Sequence, residues 1–227
     1  STGAYLAASP DALRERQHAF VTAHGMEIEL ETLRNAAGRE HGAWYGGLPP
    51  LAQVSAGGER VHAAGRDWDI IETSGHCRGH LCLYDARARV LIAGDQLLPT
   101  ISPNVSVLPS RPDANPLREF LESLARLEHC APDTLVLPSH GRPFRGLHRR
   151  VDVLRSHHLQ QLESLRKACR EPQAAYGLLP VMYGRPLRGY HRFLALGETV
   201  AHLNYLWHAG DLKRTVDDAG RIHFVAG

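Results

Sequence analysis

His76, Asp95 and His140 each follow a short apolar run by one to three residues, where a loop leaves what reads as a buried strand. Imidazole nitrogen and carboxylate oxygen are donors that a divalent ion such as zinc takes at about 2.0–2.2 Å, provided three or four of them converge on one point. Loops at the ends of neighbouring strands supply that convergence. A carboxylate so placed can bridge two ions, and such ions lower the pKa of bound water towards about 7, giving a hydroxide nucleophile at neutral pH. Asp95 is therefore the candidate catalytic and bridging group, with His76 and His140 as candidate metal ligands beside it. A plainer reading also fits: the two histidines hydrogen-bond to loop backbone, and Asp95 caps a turn after Gly94. Type and spacing alone leave both open.

The elements around these residues decide whether they can meet. D-W-D-I-I-E-T (67–73) is bulky and β-branched, so it reads as a strand that stops at Ser74-Gly75, preceded by a shorter strand around 60–63 and a turn at Gly65. The apolar runs 80–84 and 89–93 flank Asp85-Ala86-Arg87-Ala88, a connection of the length that joins antiparallel strands. With the hairpin centre between Ala86 and Arg87, residue 80 faces residue 93, and His76 and His80 come close to Asp95 at one end of the sheet. Asn115 and Pro116 read as the N-cap and first residue of a helix whose apolar stripe is Leu117, Phe120, Leu121, Leu124 and Leu127. D-T-L-V-L-P (133–138) is a further strand that hands over directly to Ser139-His140-Gly141. This alternation argues for an α/β layered domain up to about residue 146.

Upstream, Ser9, Pro10 and Asp11 signal a helix start, Gly25 marks a break between two helices reaching about residue 39, and 42–58 is a Gly- and Pro-rich loop. Downstream, a long helix runs from Leu147 towards Cys169. A short helix near 173–183, a longer one near 189–208 and paired strands at 212–216 and 221–225 then describe a small winged-helix-like module. The expected division is 1–150 for the first domain and 151–227 for a linker helix and that module.

Composition narrows the class. The 227 residues carry 26 Lys and Arg against 24 Asp and Glu, a formal charge of +2, and 43% are hydrophobic, which excludes collagen-like, disordered and disulfide-scaffold classes. No apolar stretch approaches the roughly 18 residues of a membrane span, and the first ten residues lack the pattern of a secretory signal. The four cysteines, Cys77, Cys82, Cys130 and Cys169, show no C-x2-C pair and read as reduced thiols. The expected compartment is the cytoplasm. Histidine occurs 15 times, well above ordinary usage, and the sequence opens at Ser1 without an initiator Met, as a processed chain or a piece of a longer one would.

S-G-H-C-R-G-H-L-C-L-Y-D (74–85), A-G-D-Q-L-L-P (93–99), I-S-P-N-V-S-V (101–107) and V-L-P-S-H-G-R-P-F (136–144) resemble the C-terminal half of a metallo-β-lactamase-fold hydrolase. The resemblance implies an αββα sandwich, here without its N-terminal part, carrying a winged-helix-like tail. It also implies that the first histidine of G-H-x-x-G-H, His76, is a metal ligand, that the aspartate of G-D, Asp95, bridges the metals, and that the histidine of S-H-G, His140, serves the second metal. His80 is implied to orient the loop without binding metal. The likeness spans roughly 60–150, and residues 1–58 look like the helical segment that leans over the active site in one subgroup.

One motif of that superfamily, H-x-H-x-D-H, is missing: His18, His24, His41 and His62 are scattered. Without it each metal keeps only two of the ligands named above, so the expected site is weak unless further ligands come from elsewhere. Cys77, between the motif's two histidines, reads as a small buried residue more readily than as a thiolate ligand. Ser139 lacks the Gly-x-Ser-x-Gly elbow of a nucleophile. Trp44, Tyr45 and the segment Leu98 to Val107 are placed to wall a pocket.

The leading expectation is a metal-dependent hydrolase holding one or two ions, zinc above iron or manganese, whose metal-bound hydroxide attacks an ester, thioester or related bond of a small-molecule substrate. A second is a nuclease of the same superfamily whose tail grips nucleic acid through Arg185, Arg188, Arg192, Lys213, Arg214 and Arg221. Against it, Leu194, Val200, Leu203, Leu206 and Trp207 suffice to make the tail a packing or dimerisation module whose charges are solvated. A third is a non-catalytic binding protein on the same scaffold. No membrane partner is expected, and the natural substrate carries no short signature.

Overall fold

Leu117, Phe120, Leu124 and Leu127 are fully buried along one side of the helix Pro116–Leu127, the stripe their spacing predicts. Asn115 caps it by accepting from the Arg118 amide at 3.2 Å. This helix lies against the sheet that carries the candidate site. The computed structural model describes residues 9–28 and 55–227. In chain order these form α1 (Pro10–Ala23), β1 (Arg60–Ala63), β2 (Arg66–Thr73), β3 (His80–Asp85), β4 (Val90–Gly94), α2 (Pro116–Leu127) and β5 (Leu135–Pro138). They continue with α3 (Leu147–Ala168), a 3-10 turn (Ala175–Leu178), α4 (Leu179–Tyr183), α5 (His191–Ala209), β6 (Leu212–Val216) and β7 (Ile222–Ala226). The second upstream helix, most of the 42–58 loop, Trp44 and Tyr45 lie outside the described residues.

The sheet runs β1-β2-β3-β4-β5, antiparallel except for the parallel pair β4–β5. In-register partners share a face, so Tyr84, Leu91 and Val136 line one side with Cys82 and Ala93 and pack on the helices. Ile70, Leu83, Ile92 and Leu137 line the other side, where Ile92 and Leu81 are exposed. The β3–β4 hairpin departs from the expected register. Leu83 faces Ile92 and Asp85 faces Val90, which moves the centre to between Arg87 and Ala88. The cause is local: Asp85 accepts from the Ala88 amide at 2.8 Å, and Arg89 takes a left-handed φ of 54° to finish the turn. The geometric consequence survives, because β2, β4 and β5 still end, and β3 begins, at one edge of the sheet.

Helix α5 is buried on most sides, which its apolar residues require, and it packs on α2 and α3. Asn204 on α5 donates to the carbonyls of Pro112 and Ala114, both at 2.9 Å, tying the helix to the loop before α2. The β6–β7 ribbon is joined to this body by paired hydrogen bonds between Gln173 and Phe224 and by the Ala226 amide on the Cys169 carbonyl at 2.7 Å. Among the described residues no helix is long and apolar enough to cross a membrane.

Candidate metal centre

Strand β4 ends at Gly94 with φ of 52°, and a Cβ there would stand 2.5 Å from Nε2 of His80. Only glycine lets the backbone turn this tightly over that ring. The turn delivers Asp95 to the sheet edge with its carboxylate about one-third exposed (32%). The neighbouring strand is tied in by the Ser139 amide, which donates to the Gly94 carbonyl at 3.0 Å, and by the Ser139 hydroxyl, which donates to Asp95 Oδ1. His140 follows at once, and its Nε2 lies 3.4 Å from the same Oδ1.

His76 arrives from the other side. The turn between β2 and β3 rests on α2, where Gly75, at φ 109°, sits so close that a Cβ would come within 2.4 Å of Phe120. The Ser74 amide donates to Ser123 Oγ at 2.9 Å, fixing the turn to the same helix. His76 Nε2 then lies 3.5 Å from Asp95 Oδ2, and its Nδ1 is 2.9 Å from the Asn104 carbonyl. A carbonyl only accepts, so Nδ1 carries a proton, and in the neutral ring it is Nε2 whose lone pair faces the carboxylate. In that form the ring nitrogen and the carboxylate oxygen offer two lone pairs to a shared cation.

The donor set fits a divalent ion on each side of Asp95. Two donors at about 2.1 Å from one ion at a tetrahedral angle stand about 3.4 Å apart, close to the two separations observed. Each side holds a pair only: among the described residues no three His, Cys, Asp or Glu side chains close on a single point. The structure thus brings His76, Asp95 and His140 together around one carboxylate, with a different histidine at each oxygen.

His80 stands beneath this group. Its Nδ1 is 3.0 Å from the buried Thr73 hydroxyl, and its Nε2 is packed under Gly94. Burial lowers its pKa, helped by His76 and opposed by Asp95, so the ring is neutral at neutral pH. Cys77 is exposed, which corrects its reading as a small buried residue: the turn that aims His76 inward aims the next side chain outward. Within the segment expected to wall a pocket, Leu98, Val105 and Val107 are buried in the core and Ile101 is exposed. The groups missed in the sequence are the Ser139 hydroxyl, set aside with its role as a nucleophile, and the Asn104 carbonyl. A backbone acceptor leaves no mark in a sequence.

The model of the metallo-beta-lactamase superfamily matches residues 15–140, more than half of the chain and all three residues around the carboxylate. The chain belongs to the metallo-β-lactamase superfamily. A second model, of the metallo-beta-lactamase-like C-terminal domain, matches residues 162–227, from the second half of α3 to the end of the ribbon. Among solved structures of the superfamily, a beta-lactamase domain protein from Burkholderia ambifaria is 41% identical with a TM-score of 0.85, over 91% of this chain and 60% of that one. A metallo-beta-lactamase family protein from Thermus thermophilus is 30% identical with a TM-score of 0.75, over 96% of this chain and 66% of its own. The Bacillus subtilis protein named probable metallo-hydrolase YqjP is 29% identical over 147 residues, 61% of this chain and 44% of that protein. The chain therefore spans less than two thirds of each of these superfamily relatives. Membership implies binding of a divalent metal, and the mixed α/β architecture is that of the superfamily.

Proposed function

We propose that the chain serves a metal-dependent hydrolase, with His76 and His140 each sharing an ion with Asp95, acting on an ester, thioester or related bond of a small molecule. The observation that carries this reading is the single carboxylate with a different imidazole nitrogen at each oxygen, at 3.5 and 3.4 Å. Held by these residues, a divalent ion would lower the pKa of water towards about 7, the chemistry that would supply a nucleophile at neutral pH. The chain's own groups prepare the place for it. The Asn104 carbonyl sets the His76 tautomer, the Ser139 hydroxyl orients Asp95, and the His80 ring under Gly94 holds the turn between them. Further ligands beyond these three are needed to complete either ion's shell.

The nucleic-acid reading draws less support from the tail. Arg214, one of the six cations on which that reading rests, is paired with Asp113 at 2.5 Å and stacked 3.9 Å from the Trp207 ring. Metal content and hydrolysis of ester and thioester substrates, compared between the parent protein and His140→Ala and Asp95→Asn, test the proposal. Asp95→Asn, at the residue that would serve both ions, is expected to lose more metal than His140→Ala. Unchanged metal and unchanged turnover in both variants would refute it.

A further inference from the structure

The segment I-S-P-N-V-S-V (101–107) gives the metal centre one main-chain group, the Asn104 carbonyl, 2.9 Å from His76 Nδ1. In a neutral imidazole one nitrogen carries the proton and the other the lone pair, and the hydrogen bond made by one of them fixes which is which. With an acceptor held at Nδ1, the Nε2 lone pair is free for a cation. With that acceptor displaced, the proton can settle on Nε2 and turn a ligand into a donor. The placing of one loop carbonyl therefore decides what His76 can bind.

The side chain of the same residue is held too. The Ser106 hydroxyl donates to Asn104 Oδ1 at 2.5 Å, and the Leu194 carbonyl on α5 stands 3.3 Å from that hydroxyl. A hydroxyl has one proton, and the shorter contact takes most of it. Asn104 is thus gripped at two points, by His76 at its carbonyl and by Ser106 at its side-chain oxygen. Ser106 in turn lies on α5. The Val107 amide donates to the Gly197 carbonyl at 3.0 Å, and a Cβ on Gly197 would come within 3.0 Å of Ser106 Cβ. Glycine is costly inside a helix, and here its missing side chain lets the segment rest on the helix backbone. The start of the segment has its own anchors on α3: Arg150 donates to the Leu98 and Ile101 carbonyls at 2.6 and 2.7 Å, and the Ser102 hydroxyl is 3.2 Å from His158 Nε2.

We propose that Ser106 is a positioning residue for His76: by holding the Asn104 side chain it keeps that residue's carbonyl opposite Nδ1, and so keeps Nε2 unprotonated for a metal. Through Ser106 the long helix α5 bears on the metal centre without touching it. The inference rests on the reading of His76 as a metal ligand. Groups that orient a metal-binding histidine typically contribute about 10–100-fold to metal affinity, and Ser106, one residue further out, is expected at the lower end.

The test uses Ser106→Ala, Asn104→Ala and the double variant in the whole protein, with two readouts. Zinc affinity is measured by competition with a chelator, and the nitrogen signals of the His76 and His140 rings are followed by NMR without metal. Ser106→Ala is expected to lower zinc affinity about 10-fold and to move the His76 signals away from the purely Nδ1-protonated form, leaving His140 unmoved. Asn104→Ala cuts the same tie and is expected to reproduce both effects. The double variant should then be no worse than either single, because the two residues act as one link. Unchanged His76 signals in Ser106→Ala overturn the proposal, even where stability falls, since Ser106 would then be structural only. Effects of the two singles that add in the double variant overturn it as well. If the parent protein binds no zinc, the metal reading falls, and the link from Ser106 to His76 is judged on the ring signals alone.

Discussion

His80 and Gly94 touch across the hairpin, the histidine's Nε2 standing 2.5 Å from where a side chain on Gly94 would begin. The contact sets the height at which Asp95 leaves the sheet. Gly94→Ala must strain a left-handed backbone and displace the ring together. The expected loss is about 2–4 kcal/mol of stability by denaturant unfolding, from the αL strain and the overpacking. Adding His80→Ala should recover the overpacking part, because the two residues share one contact. A double variant as unstable as the sum of the singles would show that the ring is not what excludes a side chain.

Three histidines that the site does not use predict acid sensitivity. His24, held between Phe20 and Phe224, has its pKa lowered to about 4, first by burial and then by Arg214. Burial likewise lowers His158 and His202, which hydrogen-bond to one another. Each binds its proton more readily in the unfolded chain, so stability is fully present above about pH 6.5 and falls as the pH drops from there towards 4. His24 alone contributes a slope of about 1.4 kcal/mol per pH unit in that window. Unfolding measured at pH 7 and pH 5 should show the fall, and His24→Phe should remove His24's share. A pH-independent stability over this range would contradict the burial of all three.

Arg214 and Lys213 are neighbours in sequence with different work. Arg214 lies over Trp207 and pairs with Asp113, while Lys213 is exposed. Arg214→Ala is expected to cost about 1 kcal/mol, the scale of a partly covered cation–π contact, and Lys213→Ala close to nothing. Equal midpoints of denaturation for the two variants would remove the structural role given to Arg214.

What the sequence makes legible is periodic or terminal. The α2 stripe, the Asn115 and Ser9 caps and the strand ends that carry His76, Asp95 and His140 all follow from spacing and residue type. The hairpin register differs from expectation because Arg89, an ordinary residue, adopts a conformation usually reserved for glycine, and nothing in its type announces that. His158 and Glu198 are hidden for another reason. Their partners, Ser102 and His202 for the one and Tyr183 for the other, lie elsewhere along the chain, and helical spacing cannot reveal them. The group that orients His76, the Asn104 carbonyl, is main chain, which every residue possesses.

The central claim is that His76, Asp95 and His140 meet around divalent ions. Crystals of the protein grown with zinc, with anomalous diffraction recorded at the zinc edge, test it most directly. The predicted result is anomalous density about 2.0–2.2 Å from an Asp95 oxygen and from Nε2 of His76 or His140, absent in crystals of Asp95→Asn. Zinc bound only at other residues, or bound beside these histidines as strongly in Asp95→Asn as in the parent, would contradict it.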